Sequence, residues 1–108
     1  MVKDASLEYL KWLKKQPEEQ GRGCLVCGIL AVDLDHLEAI GMGGNRKKPS
    51  LKHYTCVPLC RLHHTERHHI GIPRFEDKYK INLWKEAFKL LRGYYERESQ
   101  EVFKPFRR

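Results

Sequence analysis

Pro58-Leu59-Cys60-Arg61-Leu62-His63-His64-Thr65-Glu66-Arg67-His68 reads as the end of a short strand running into a helix that carries two kinds of metal donor. On such a helix His64 and His68, four residues apart, project from one face and can chelate a single ion. His63 points roughly 100 degrees away. One helix can therefore serve two metals, with His63 and Cys60 turned to one and His64 and His68 to the other.

Upstream, Asp35-His36 precedes His64 by 27 intervening residues. Two histidines spaced four apart are, taken alone, more often surface residues than ligands, and the acid–histidine pair reverses that reading. The flanking Ile29 to Leu37, short and bounded by turn residues, reads as a strand. Asp35 and His36 must then face opposite sides of it. If Asp35 joins His64 and His68 on a cation, His36 lies beside the metal without coordinating it. A histidine there is suited to take a proton from a water attacking a phosphodiester.

The thiols form the second set. Cys24-x-x-Cys27 has the form of a zinc knuckle, and Cys60-x-x-His63 repeats its gap after 32 intervening residues. Together they fit one tetrahedral structural zinc. An alternative takes Cys56 with Cys60 to complete a four-cysteine site, and the plainest reading leaves four buried free thiols.

Composition bounds the rest. A chain of 108 residues makes one small domain whose core is only moderately self-sufficient, so a structural metal would help it fold. No run approaches the roughly 18 apolar residues of a membrane span, and Met1-Val2-Lys3-Asp4-Ala5-Ser6 lacks the apolar region of a secretory signal. The expected setting is a reducing cytoplasm, where four cysteines suggest metal ligation before disulfides. Twenty-one Lys and Arg against fourteen Asp and Glu leave a formal charge of +7. Arg46, Lys47, Lys48, Lys52, Arg61 and Arg67 surround the histidine cluster, a distribution that suits a polyanion approaching the metal.

The flanks read as helices. Residues 4–16 place Leu7, Leu10, Trp12 and Leu13 at near-helical spacing until Pro17. Residues 81–96 carry the stripe Trp84, Ala87, Phe88 and Leu91, expected in the core. Trp84, Tyr94, Tyr95 and Phe103 are less favoured as base-stacking residues. Ile40 to Tyr54, with Gly41, Gly43, Gly44 and Pro49, reads as a long surface loop, Thr55 to Leu59 as a second strand, Cys60 to His69 as a short helix capped by Gly71, and Lys104 to Arg108 as a basic tail.

Asp35-His36, the glycine-bearing loop, Val57-Pro58-Leu59-Cys60, His63-His64 and His68 resemble the HNH endonucleases, over about residues 24–76. The longer string from Pro58 to His68, with Gly71 and Phe75 following, is similar to a phage-associated branch that includes recombination-enhancement nucleases. The resemblance implies an α+β fold: a ββα-metal core around one divalent ion, Mg²⁺ or Mn²⁺. It implies Asp35, His64 and His68 as ligands of that ion and His36 as general base, and, from the zinc-bearing members, Cys24, Cys27, Cys60 and His63 on one structural Zn²⁺. The family asparagine that orients the general base falls nine residues before His64, where this chain has Thr55. Thr55 is assigned that role through its hydroxyl, with His53 or a backbone carbonyl as alternatives. His69 has no matching role and reads as a surface residue or phosphate contact.

The expectation is a monomeric, single-domain HNH nuclease over residues 1–108 that nicks or cuts DNA with weak or structure-based specificity, with a recombinase or other replication or recombination protein as its candidate partner and no membrane. The rival is a non-catalytic zinc-binding nucleic-acid module, or an adaptor of a phage recombination or replication complex.

Overall fold

Two four-residue strands form the centre of the structure. The computed structural model describes residues 5–38 and 51–103, with backbone alone for 98–103. Strand β1 (Asp33–His36) pairs antiparallel with β2 (Cys56–Leu59), Asp33 opposite Leu59, Asp35 opposite Val57 and His36 opposite Cys56. Helix α1 (Ala5–Gln20) precedes them, and α2 (Arg61–Ile70), α3 (Ile72–Tyr79) and α4 (Leu83–Phe103) follow. This is a small α+β fold with a ββα unit at its centre. Among the described residues no helix is long and apolar enough to cross a membrane.

The pleat divides the interior. Val57 and Leu59 join Cys24, Leu37, Cys60, Phe75, Leu83 and Ala87 in one buried cluster, whereas Cys56 joins Tyr9, Leu13 and Leu90 in a second. Strand alternation explains the split, since successive side chains of β2 leave opposite faces. The second cluster is aromatic: Tyr9 packs against Trp12, Tyr54 and Tyr94 at centroid distances of 5.9, 5.3 and 5.0 Å. Pro58 is tolerated because a two-stranded sheet consists only of edges. Its carbonyl accepts the Leu25 N–H at 3.1 Å, which fastens the Cys24–Cys27 turn to β2.

Several elements depart from the sequence reading. Pro17 does not stop α1: it forfeits one N–H, buries its ring, and the helix runs on to Gln20. The stop is Gly21, whose left-handed φ of 66° lets its N–H reach the Pro17 carbonyl at 3.0 Å. The first strand is shorter than Ile29–Leu37, because the Ile29 carbonyl accepts the Cys24 N–H at 2.8 Å and closes the knuckle instead. The end of the expected loop and Thr55, the first residue of the expected second strand, form a 3-10 turn over Leu51–Thr55. Helix α3 was not anticipated. Gly71, at φ 86°, ends α2 by donating to the Arg67 carbonyl, and its own carbonyl then accepts the Phe75 N–H; Pro73 is compatible with the first turn so begun.

The stripe of α4 is also rotated. Leu83, Ala87 and Leu90 are buried, while Trp84 and Phe88 are 44% and 63% exposed. Arg46, Lys47, Lys48, the loop glycines and the tail from Lys104 lie outside the described residues, as does the Phe103 side chain.

Candidate functional site

Cys24, Cys27, Cys60 and His63 bring four donor atoms within 4.8 Å of one another. The knuckle supplies the first two. Gly23 is required there, because a Cβ at that position would meet the Ile29 carbonyl oxygen at 2.3 Å. Cys60 lies at the junction of β2 and α2, with His63 one turn on. The Cys27 and Cys60 sulfurs are 3.8 Å apart, and His63 Nδ1 is 3.2 Å from the Cys60 sulfur and 3.6 Å from that of Cys24. A tetrahedral zinc with bonds of about 2.3 Å places its sulfurs about 3.8 Å apart. The four residues therefore fit zinc in chemistry and spacing.

Burial pushes the Cys24 thiol up, but N–H groups of Cys60, Cys27 and Val26 outweigh it and bring the thiol down to about 6, toward the thiolate a metal needs. Cys56 stands apart from this cluster. It lies in the aromatic core, where burial and then the Asp35 charge push its thiol up to about 12.

The second cluster straddles β1 and α2. Asp35 Oδ1 is 3.5 Å from His64 Nε2 and 3.3 Å from His68 Nε2, and the two nitrogens are 3.1 Å apart. Octahedral ions with bonds of about 2.1 Å set neighbouring ligands about 3 Å apart. The triangle thus matches one face of such a coordination sphere and leaves the opposite face open. Asp35 is 1% exposed and His68 largely exposed, so the centre has a buried anchor and an open side.

Two further residues touch this triangle, and the sequence reading gave neither of them its observed place. Asp33 lies 2.9 Å through Oδ2 from His64 Nδ1, and Arg61 Nε is 3.1 Å from the same oxygen. Arg67 is 8% exposed and turns inward, contrary to its expected place on the nucleic-acid surface. Its Nε donates to Asp35 Oδ2 at 2.7 Å, its Nη2 donates to Asp35 Oδ1, and the same Nη2 lies 3.2 Å from His68 Nε2. A carboxylate as deeply buried as Asp35 requires such a partner. The signal that could have found Asp33 is its two-residue spacing from Asp35, which puts both on one face of a strand.

His36 leaves the other face of β1. Its Nε2 is 2.9 Å from His53 Nδ1 on the 3-10 turn. Thr55, assigned to orient His36, is occupied elsewhere: its hydroxyl donates to the Lys52 carbonyl at 2.7 Å and accepts the Glu38 N–H at 3.1 Å. The contact to His36 comes from His53. Desolvation, followed by the nearby His53 and Lys52, holds the His36 imidazole below its ordinary value, so it is neutral near pH 7. Lys52 is half-buried beside it, and Arg61 and His69 are exposed.

A family model described as "Putative HNHc nuclease" matches residues 8–92. The uncharacterized protein YdfU of Escherichia coli (strain K12) is 40% identical over 76 residues, which are 70% of this chain and 19% of that protein. The chain therefore spans about a fifth of the length of this curated relative. No solved structure matches it.

Proposed function

We propose that this chain, which belongs to the HNHc nuclease family, hydrolyses DNA phosphodiester bonds with one divalent ion, Mg²⁺ or Mn²⁺, held by Asp35, His64 and His68. The observation that carries this reading is the triangle of donor atoms, with edges of 3.1–3.5 Å, contributed by two elements and backed by a buried carboxylate. Bound there, such an ion supplies Lewis acidity to the scissile phosphate and its leaving oxygen. His36 is the general base. With Nε2 turned to His53, the proton on that nitrogen leaves Nδ1 with its lone pair, and Nδ1 takes the proton of the attacking water. His53 takes over the orienting role that the family gives to asparagine.

Cys24, Cys27, Cys60 and His63 hold one structural zinc, which fixes the start of α2 and with it the register of His64 and His68. Arg46, Lys47, Lys48, Lys52 and Arg61 bind the phosphate backbone. Contacts of this kind position DNA without conveying sequence, so cutting or nicking is weakly specific or selects DNA structure. The similarity of the Pro58–His68 string to the phage-associated branch favours recombining or replicating DNA in the cytoplasm, with a recombinase or replication protein as partner and the chain itself a monomer.

Arg67 favours a second reading. Its guanidinium pairs with Asp35 and approaches His68, contacts that a non-catalytic zinc-binding DNA module would also use to hold this cluster. Supercoiled plasmid incubated with Mg²⁺ or Mn²⁺ separates the two. Wild type is expected to relax or linearise it, and His36→Ala to be slower by about 10²–10⁴-fold, the usual contribution of a general base. Equal cleavage by both proteins would remove His36 from the mechanism, and cleavage by neither would favour the binding module.

A further inference from the structure

We propose that Asp33 is a positioning residue of the catalytic metal centre: its carboxylate accepts the Nδ1 proton of His64 and thereby turns the Nε2 lone pair of that ring into the donor triangle. The inference rests on the metal-site reading above and adds to it a residue that ligates nothing.

The placement follows from two periodicities. Strand β1 puts Asp33 and Asp35 on the face that α2 crosses, and α2 brings Arg61, His64 and His68 round at steps of three and four. The two rows then interlock. His64 Nδ1 is 2.9 Å from Asp33 Oδ2, while its Nε2 is 3.5 Å from Asp35 Oδ1 and 3.1 Å from His68 Nε2. Asp33 thus contacts the ring nitrogen remote from the triangle and is not among the clustered donors.

A carboxylate oxygen at Nδ1 accepts the proton there, so in the neutral ring that a metal binds Nδ1 carries the proton and Nε2 is bare. Arg61 keeps Asp33 in place, with Nε 3.1 Å from Oδ2 and Nη2 3.5 Å from Oδ1. Without Asp33, the other tautomer becomes accessible and presents an N–H where the ion needs a lone pair. Carboxylate partners of this kind typically contribute 10–100-fold to metal affinity.

The test titrates Mn²⁺ into the zinc-loaded protein, with free Mn²⁺ followed by electron paramagnetic resonance. Asp33→Ala is expected to raise the Mn²⁺ Kd by about 10–100-fold, and Asp33→Asn by less, because the amide oxygen still accepts the Nδ1 proton. In metal-free protein, at a pH high enough for the His64 ring to be neutral, ¹⁵N NMR of that ring should show the Nδ1–H tautomer in wild type and Asp33→Asn, and a tautomer mixture in Asp33→Ala. If Asp33→Ala loses its zinc, Asp33→Ser serves instead, since its shorter hydroxyl does not reach Nδ1 and the same rise in Kd is expected. Wild-type Mn²⁺ affinity with an unchanged His64 tautomer in these variants, while His64→Ala fails to bind, overturns the role of Asp33 alone. Wild-type affinity in His64→Ala overturns the metal-site reading and this inference with it.

Discussion

Arg67 brings a positive charge to a cluster of acceptors, and its removal exposes how much of that cluster depends on it. Asp35 has a fully buried side chain, and its two oxygens meet Arg67 Nη2 and Nε. Replacing Arg67 by Met keeps most of the packing volume but leaves a buried carboxylate unpaired. Breaking such a pair costs about 3–5 kcal/mol, so Arg67→Met should lower the stability of the zinc-loaded protein by that amount when no other divalent ion is added. Mn²⁺ should then raise the Tm of Arg67→Met more than that of wild type, because the ion supplies the missing charge. Thermal unfolding with and without Mn²⁺ checks both statements, and a loss below about 1 kcal/mol would mean that Asp35 is balanced elsewhere. His53 yields a second prediction at this scale. His53→Ala should slow plasmid cleavage, and His53→Asn should recover much of the rate, because an amide oxygen can accept the His36 Nε2 proton. A wild-type rate in His53→Ala would show that His36 does not need the contact. These roles were only partly legible in the sequence. The spacing of Cys24, Cys27, Cys60, His63, His64 and His68 announces itself, because few other purposes require those residue types at those intervals. Arg67 looked like any helix-surface arginine, since which side chain turns inward is decided by the depth of Asp35 across the interface. Thr55 occupied the expected position in the chain, yet the 3-10 turn consumes its hydroxyl and presents His53 instead.

At the scale of elements, α4 shows why a periodic pattern locates a helix better than it locates the buried side. Apolar residues cover a wide arc of this helix, and the sequence does not say which half of the arc the body will cover. Leu83, Ala87 and Leu90 face the clusters, whereas Trp84, Phe88 and Tyr95 are 44%, 63% and 68% exposed. The register is set at the helix start: Glu76 Oε2 accepts the Leu83 N–H at 2.7 Å, and Asn82 Oδ1 accepts the Lys85 N–H at 3.0 Å. The Asn82 contact is a local helix cap, whereas the Glu76 contact reaches back to α3 and forms only once the chain is folded. Leu83→Ala should therefore cost about 2–5 kcal/mol, while Phe88→Ser stays within about 0.5 kcal/mol of wild type. Urea unfolding distinguishes these outcomes, and a large loss for Phe88→Ser would restore the stripe expected from sequence. Helix α3 was missed for a related reason. Eight residues between Gly71 and Lys80 carry little pattern of their own, and Phe75 at full burial anchors them. Glu66 of α2 ties α3 down, meeting both Lys78 and Tyr79, and the Lys78 contact holds its carboxyl below the usual carboxylate range.

The molecule as a whole consists of two modest apolar clusters back to back across a two-stranded sheet. A chain of this size buries too little surface to be secure on packing alone, and the thiol cluster ties together two segments whose donors lie up to 39 residues apart. It joins the Cys24–Cys27 turn, fastened to the edge of β2 by Leu25, to the first turn of α2. With zinc in place, the chain between Cys27 and Cys60 becomes a closed loop that holds both β1 and β2, and the helix bearing His64 and His68 is fixed at its origin. Structural zinc contributes an apparent 10–16 kcal/mol in small metal-dependent folds, more than the whole stability of a typical domain. One zinc per chain is therefore expected on purification, and its removal by a strong chelator should abolish the cooperative thermal transition. The variants discriminate between the donor sets. Cys24→Ser should lose the ion and the transition together. Cys56→Ser should keep the zinc, because its sulfur lies in the Tyr9 cluster and reaches none of the four donors. His64→Ala should also keep the zinc while losing Mn²⁺, which would establish that adjacent histidines on α2 serve separate ions. Zinc retained by His63→Ala but lost by Cys56→Ser would instead assign the fourth donor to Cys56, and would require α2 to begin in a different register from the one that aligns His64 with Asp35.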